Sequence, residues 1–555
     1  VNKPSSAYRL YSFWPVLLAL AAFIPSFLIH TRGVVLPEDD AFIIYRYVKN
    51  AVAGSGLVYN PGEHVFGSTT PLYTLWLVLL KSVFHSIEID VLAVRGNFIF
   101  FALSALGIQT FLFRLTASRF WSVAGMLYCA LQPDLIGVSV SGMESSLFIC
   151  LCLWSFAVAV RGSMYLACFL AGAATLTRPE GVFCLLSLVC LLEWKSLKSL
   201  IYSGLAFSVP VLTWVVPAWL YYGSPIPHSI LAKSAPLYEL PPLYSFKSIM
   251  RQMDFWLTRV FPESWFDKGM PYAVWVTVQS VVVTVFSVSL VLCFRKARVD
   301  KRYSIPILFA GSLIAFYTIS NPLMMGWYWG CVHTAWFFLV LVSASVLQER
   351  MPSGKFWSFL SCTFRKDYGV AVVFAFWVLL VTSWYWVDTI RLSQPPFNGD
   401  RFSLGRDRNP TLVRIDGYRR AGLWLNEHAS DLPRIAAPEI GALGYYYEGP
   451  VLDTCALVSP EALPFHPIPP EDRIAPNIGT IPSALIRELQ PEMIVTLRTF
   501  ARKSLMEGEA STLKAEFSED YTELQRIPLL TPVWGSTDIL VFGKASSRSV
   551  LGLAE

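Results

Sequence analysis

A 555-residue chain that is 54% apolar, 15% aromatic and only 15% charged, with a mean hydropathy of +0.49, is too oily for an ordinary water-soluble protein. Soluble domains carry charge on about a quarter of their residues, so this composition predicts a polytopic membrane protein. The formal charge of +5 is spread in short clusters between apolar runs, which excludes a nucleic-acid partner. Ten cysteines are present, but most lie within or beside apolar runs, and Cys362 and Cys455 stand alone. No disulfide or metal framework follows from such spacing; these thiols read as small packing residues.

In chain order, the first apolar run, from Tyr11 to His30, is too long for a signal-peptide core and predicts a retained membrane helix. The first polar loop, 31–70, comes next and holds the densest motif, PEDDAFIIYRYVKNAVAGSGLVYNPGEHVFGSTTPL from Pro37 on. Pro37 opens and Gly54 closes a helical pattern. Phe42, Tyr45, Val48 and Val52 fall on one stripe and Arg46, Lys49 and Asn50 on another, as in an amphipathic helix lying on a bilayer surface. Asp39 precedes Arg46 by seven positions, so a carboxylate and a guanidinium share a face. One aspartate explains a helix cap; Glu38, Asp39 and Asp40 together exceed what a cap needs.

Residues 71–84 are apolar but shorter than the roughly 20 a helix needs to cross the hydrocarbon. Further runs recur at 91–113, 120–140, 143–160, 163–177, 181–193, 199–222, 271–294, 303–320, 327–347 and 369–388. If 71–84 does not cross, the basic clusters at Arg114/Arg119, Arg161, Lys195/Lys198, 295–302 and 349–366 all face the cytoplasm, giving about eleven spans that obey the positive-inside rule. Every polar motif then shares the opposite face: the 31–70 loop, SGMES at 141–145, TRPEG at 177–181, YYGSPIPHSILAKS at 221–234 and on to about 270, and NPLMMGWYWG at 321–330. Charged residues at span ends are usually snorkelling anchors, but Glu144, Arg178 and Glu180 sit at boundaries too tight to reach water freely. Lys233 has a solvated surface lysine as its bland alternative. His228 and His333 are acid–base candidates whose alternative is a packing role.

The membrane domain is expected over 1–390, a linker over 391–410, and a soluble α/β domain over 411–555. The last begins with the helical stretch DGYRRAGLWLNEH and continues with strand-like runs at RIAAPEIGALGYY, GPVLD, EMIVTL and DILVFG.

EDDAFIIYRYVKN, GSGLVYNPGEHVFGSTTPL, SGMESSLF, TRPEG and YYGSPIPHSILAK occur in an order that resembles the polyprenyl-phosphate-dependent glycosyltransferases of the GT-C fold, in the branch containing the mycobacterial terminal arabinofuranosyltransferase. The similarity covers about residues 10–235, and GYYYEGPVLDTCALVSPEAL extends it into the soluble domain; Phe42 and Phe66 depart from the family's usual residues. The resemblance implies sugar transfer on the extracytoplasmic side of a bacterial plasma membrane, from a polyprenyl-phosphate sugar to a hydroxyl of a glycan, lipid or protein acceptor, by single displacement with inversion. Such a reaction needs a carboxylate base and a cationic site for the departing phosphate. Asp39 is the expected base, with Asp40 orienting the acceptor or, with Asp39, holding a divalent cation; no other cofactor is implied. By analogy Arg178 and Lys233, then Arg46, would bind the donor phosphate, while Glu144, Glu180 and His228 would orient substrate or the cations. The soluble domain would bind the acceptor glycan. A secondary transporter and a glycan-binding membrane scaffold are the rival readings; a transporter should place its charges near the midplane and show repeated halves.

Overall fold

The computed structural model describes Phe23 and residues 37–234, 237, 240–258, 272–350, 410–429, 431–475, 478–479, 481–501, 505–506, 517 and 519–544. The expected spans at 11–30 and 369–388, the linker up to residue 409, and residues 259–271 lie outside these. Among the described residues four helices are long and apolar enough to cross a membrane: Ile89–Thr116, Leu197–Tyr222, Lys301–Ser320 and Gly326–Arg350. Arg119–Leu131 and Asp134–Val140 make a fifth if read as one span bent by 52°. Pro133 sits at that bend, where it removes a helix hydrogen bond. Ser145–Val160, Met164–Thr177 and Pro179–Leu191 are shorter apolar helices, so the chain is an integral membrane protein whose described helices follow the expected runs. Pro71–Val83 has 13 residues, about 20 Å of helix, short of a bilayer core of about 30 Å.

Helix Leu197–Tyr222 is only 6% buried over its apolar window and exposes Leu205, Leu212 and Leu220, as a lipid-facing helix must. The stretch 331–346 of the last described membrane helix is instead packed into the core with Ile108, Phe156 and Phe309.

The C-terminal domain opens with helix Pro410–His428 and contains strands β1 (Ile435–Ala437), β2 (Val451–Asp453), β3 (Arg473–Ala475), β4 (Ile478–Gly479), β5 (Met493–Leu497), β6 (Tyr521–Val533) and β7 (Ser536–Lys544). Five form one sheet in the order β2-β1-β5-β7-β6; β1 runs parallel to β2 and β5, and β7 antiparallel to β5 and β6. A mixed α/β module was expected, with two local differences. GALGYY is a helix, Gly441–Tyr446, because Pro438 ends β1 and the following residues turn to meet the membrane domain. The long strand β6 was not foreseen: its polar alternation and Pro528 obscure it, and both suit its place at the sheet edge.

Helix Asp39–Val52 joins the two halves. Asp39, Ala41, Phe42, Ile44, Tyr45, Arg46, Tyr47, Val48 and Asn50 are all buried, so the expected bilayer-surface helix is corrected to an interior one. Phe42, Tyr45 and Val48 share a single apolar core with Tyr73, Ile89 and Met143 of the membrane domain and with Ile415, Tyr418, Leu443 and Val495 of the C-terminal domain. The polar stripe that looked ready for headgroups faces peptide carbonyls of residues 444–449 instead.

A candidate active site between the membrane helices and the C-terminal domain

Consecutive residues on a helix point about 100° apart, and Asp39 and Asp40 accordingly have different surroundings. Asp39 is buried and accepts two hydrogen bonds from the first turn of helix Gly441–Tyr446, from Gly441 N–H (3.2 Å) and Ala442 N–H (2.9 Å). Its charge therefore faces the positive end of a short helix, whose free amides it satisfies. A side chain at Gly441 would collide with Asp39 itself, so glycine is what lets this helix seat there. Asp40 is only partly buried, and no protein hydrogen bond to its carboxylate occurs among the described residues. Burial and the neighbouring Asp39 push its carboxyl up to about 7, with Lys233 and Arg414 pulling it back.

Arg46 does share its helix face with Asp39, and that face belongs to the domain contact. Its guanidinium donates to the carbonyls of Tyr59 (2.7 Å), Gly444, Tyr447 (3.2 Å) and Gly449 (2.7 Å) and to Asn60 Oδ1 (3.2 Å). Its donors are committed to buried carbonyls and an amide oxygen, so Arg46 straps helix Asp39–Val52 to the segment 444–449 where phosphate binding was expected of it.

The motifs expected on one face do converge. Glu38 N–H donates to Ser141 O (3.1 Å), Tyr45 and Tyr73 hydroxyls both donate to Gly142 O, and Gly326 lies against the Glu38 carboxyl. Ser145 Oγ donates to Trp327 O (3.4 Å). Arg178 is buried between two carboxylates, donating to Glu144 Oε1 (2.6 Å) and Glu180 Oε1 (2.9 Å), with Tyr328 beneath its guanidinium and Tyr317 OH donating to Glu180 (2.7 Å). Arg178 Nε and Glu144 Oε2 remain buried without partners in this cluster. Lys233, exposed at the end of helix His228–Ser234, makes no ion pair among the described residues and acts on Asp40 electrostatically.

Two histidines stand elsewhere. His228 donates its backbone N–H to Phe66 O, and its imidazole feels Ala456 and Glu461; burial lowers its basicity. His333 packs inside the membrane region against Tyr128 OH (3.2 Å) and Gln132 Nε2 (3.0 Å).

Two charged residues near the carboxylates were not foreseen. Arg414, from helix Pro410–His428, pairs with Glu439 (2.7 Å) and interacts with Glu38, Asp39 and Asp40. In sequence each is one charge in an otherwise ordinary soluble segment, and nothing there signals a partner some 400 residues away. As a cation cradle the aspartate pair does not fit: both Asp39 oxygens face amide N–H groups, and no group of three His, Cys, Asp or Glu among the described residues is arranged for a metal.

The structure superposes over 88% of this chain on 70% of the archaeal oligosaccharyltransferase AglB from Archaeoglobus fulgidus, solved with an inhibitory peptide and a dolichol-phosphate (TM-score 0.54, 9% identity). It superposes also on ArnT from Cupriavidus metallidurans (TM-score 0.51, 12% identity, 98% and 99%). The fold is GT-C. In sequence, this GT-C chain is a distant homologue of the terminal β-(1→2)-arabinofuranosyltransferases, 25% identical over 366 residues to that of Mycobacterium tuberculosis (57% of this chain, 53% of that protein). The match to the Corynebacterium glutamicum protein is 26% over 239 residues (36% and 33%). The chain thus spans about half the length of the first relative and a third of the second. Residues 411–542 match a family model described as a domain of unknown function (DUF8728).

Proposed function

We propose that this protein is a polyprenyl-phosphate-dependent glycosyltransferase that moves a sugar, arabinofuranose by analogy with its relatives, onto an acceptor hydroxyl on the extracytoplasmic face of the membrane. The observation that carries the reading is Asp40: a carboxylate that accepts no protein hydrogen bond among the described residues, raised toward neutrality, with Lys233, unpaired among the described residues, acting on it, in a chain of GT-C fold. A base is most useful when its pKa lies near the working pH. In the proposed step the acceptor oxygen attacks the anomeric carbon, its proton passes to the Asp40 carboxylate, and the bond from that carbon to the polyprenyl-phosphate oxygen breaks. Inversion follows from the single displacement. Lys233 would stabilise the charge gathering on the departing phosphate.

The roles expected for the two aspartates are thereby exchanged, Asp39 anchoring the C-terminal domain and Asp40 taking the proton. Glu144 and Glu180 hold Arg178, and the unpartnered Arg178 Nε and Glu144 Oε2 suit a phosphate oxygen and a sugar hydroxyl respectively. Against a transporter or a scaffold stand the fold relationship and the gathering of these charges at one end of the bundle. The test is transfer by the full-length protein in lipid nanodiscs, offered a panel of radiolabelled polyprenyl-phosphate pentoses and hexoses with arabinan, lipid and peptide acceptors. Incorporation from the arabinofuranosyl donor with inverted anomeric configuration is expected; incorporation from a hexose donor alone would overturn the sugar assignment, and retention of configuration the single displacement.

A further inference from the structure

The acid run Glu38–Asp39–Asp40 and Glu439 bring four carboxylates close together, and two cations reach them from other elements: Lys233 and Arg414. Lys233 is exposed, whereas the Arg414 side chain is only 13% exposed. It is held from two sides, by Glu439 Oε1 at 2.7 Å and by the Trp534 ring 4.7 Å from the guanidinium carbon. Its Nε is buried and makes no hydrogen bond among the described residues. Glu439 lies two residues before Gly441, so the segment that orients Arg414 is the same one whose amides grip Asp39. A bridge serving only the C-terminal domain would have no reason to lie at the interface against three carboxylates of the membrane domain. Burying that many like charges together without a fixed counter-charge is costly, and a guanidinium, which stays protonated, is the suitable one.

We propose that Arg414, oriented by Glu439, is a positioning residue of the transfer site that supplies the fixed counter-charge for Asp40 and its carboxylate neighbours, so that the C-terminal domain forms part of the catalytic centre. This rests on the reading of Asp40 as the base. The groups facing Asp40 are Glu38 and Asp39 on its own element, Lys233 on helix His228–Ser234, and Arg414 and the neutral thiol of Cys455 on the C-terminal domain; Arg414 in turn faces Glu439.

The experiment compares full-length wild type with Arg414→Met and Arg414→Lys in nanodiscs, measuring kcat/KM against pH and thermal unfolding on the same samples. The protonated-carboxyl infrared band that disappears in Asp40→Asn is titrated in parallel. Activity should rise with pH as Asp40 ionises. In Arg414→Met the midpoint should move up by about one pH unit in both activity and the infrared signal, with activity at neutral pH falling severalfold and recovering at alkaline pH. Arg414→Lys should return the midpoint toward wild type. An unchanged midpoint in Arg414→Met, or a loss that is the same at every pH and follows lowered thermal stability, would overturn the proposal and leave Arg414 a structural residue. If the wild type transfers no sugar, the proposed function fails, and the infrared midpoints still decide whether Arg414 controls Asp40.

Discussion

Asp39 and Asp40 are chemically identical neighbours separated by a rotation of the helix. The acid run could be recognised in the sequence as more than a cap, but the different surroundings of the two aspartates could not, because they are set by Gly441 and Ala442, about 400 residues downstream. Asp40→Asn is expected to lower transfer by about 10²- to 10⁴-fold, the usual worth of a general base, while donor binding persists. The same substitution should stabilise the fold. Asp40 is raised from 3.8 to about 7, chiefly by burial and then by Asp39, so its protonated form is the one the folded state prefers. The stability this gives is present below the unfolded value and is lost as pH rises through the folded one. The advantage of Asp40→Asn in thermal unfolding should therefore grow from about pH 4 to about pH 7 and level off above. Lys233→Ala should lower the donor-saturated rate as well as raise the donor KM, because the lysine meets the charge that develops on the departing phosphate, and Lys233→Arg should retain most of both, read from initial rates over donor concentration.

At the scale of elements, the 3.6-residue period correctly marked a helix after Pro37 that closes before Gly54. Its environment was misread because a stripe of Arg, Lys and Asn facing peptide carbonyls has the same pattern as one facing lipid headgroups. The structure resolves that ambiguity through Arg46, which binds carbonyls at the C-terminal end of the Gly441–Tyr446 helix, and through Gly444, where a side chain would strike the Tyr59 hydroxyl and approach Arg46. Arg46→Met would leave several buried carbonyls without donors and should cost about 3 kcal/mol or more, seen as earlier thermal unfolding and faster proteolysis of the C-terminal domain. Gly441→Val should show the same loosening, together with reduced transfer, because it displaces Asp39 and its neighbour. Either variant behaving like wild type in both assays would contradict the contact.

At the scale of the molecule, one of the apolar cores among the described residues runs from Tyr73 and Met143 through Tyr45 into Ile415 and Val495, so its two halves are packed together at this point. Composition and apolar runs made the membrane class legible, and the succession of polar motifs made the fold legible. The shared core was not legible: buried residues from distant segments carry no mark of which partner they meet. Residues 410–544 produced alone would uncover the face of helix Gly441–Tyr446 that packs on Asp39 and Phe42 of helix Asp39–Val52 and should aggregate or bind a hydrophobic dye, in contrast to the full-length protein. The measurement that tests the central claim most directly is sugar transfer by wild type, Asp40→Asn and Asp39→Asn side by side in nanodiscs, with domain docking followed by proteolysis. The expected result is transfer by wild type, its loss in Asp40→Asn with docking intact, and a partial loss in Asp39→Asn that tracks weakened docking. Full activity in Asp40→Asn, with Asp39→Asn inactive yet firmly docked, would contradict it and return the base to Asp39.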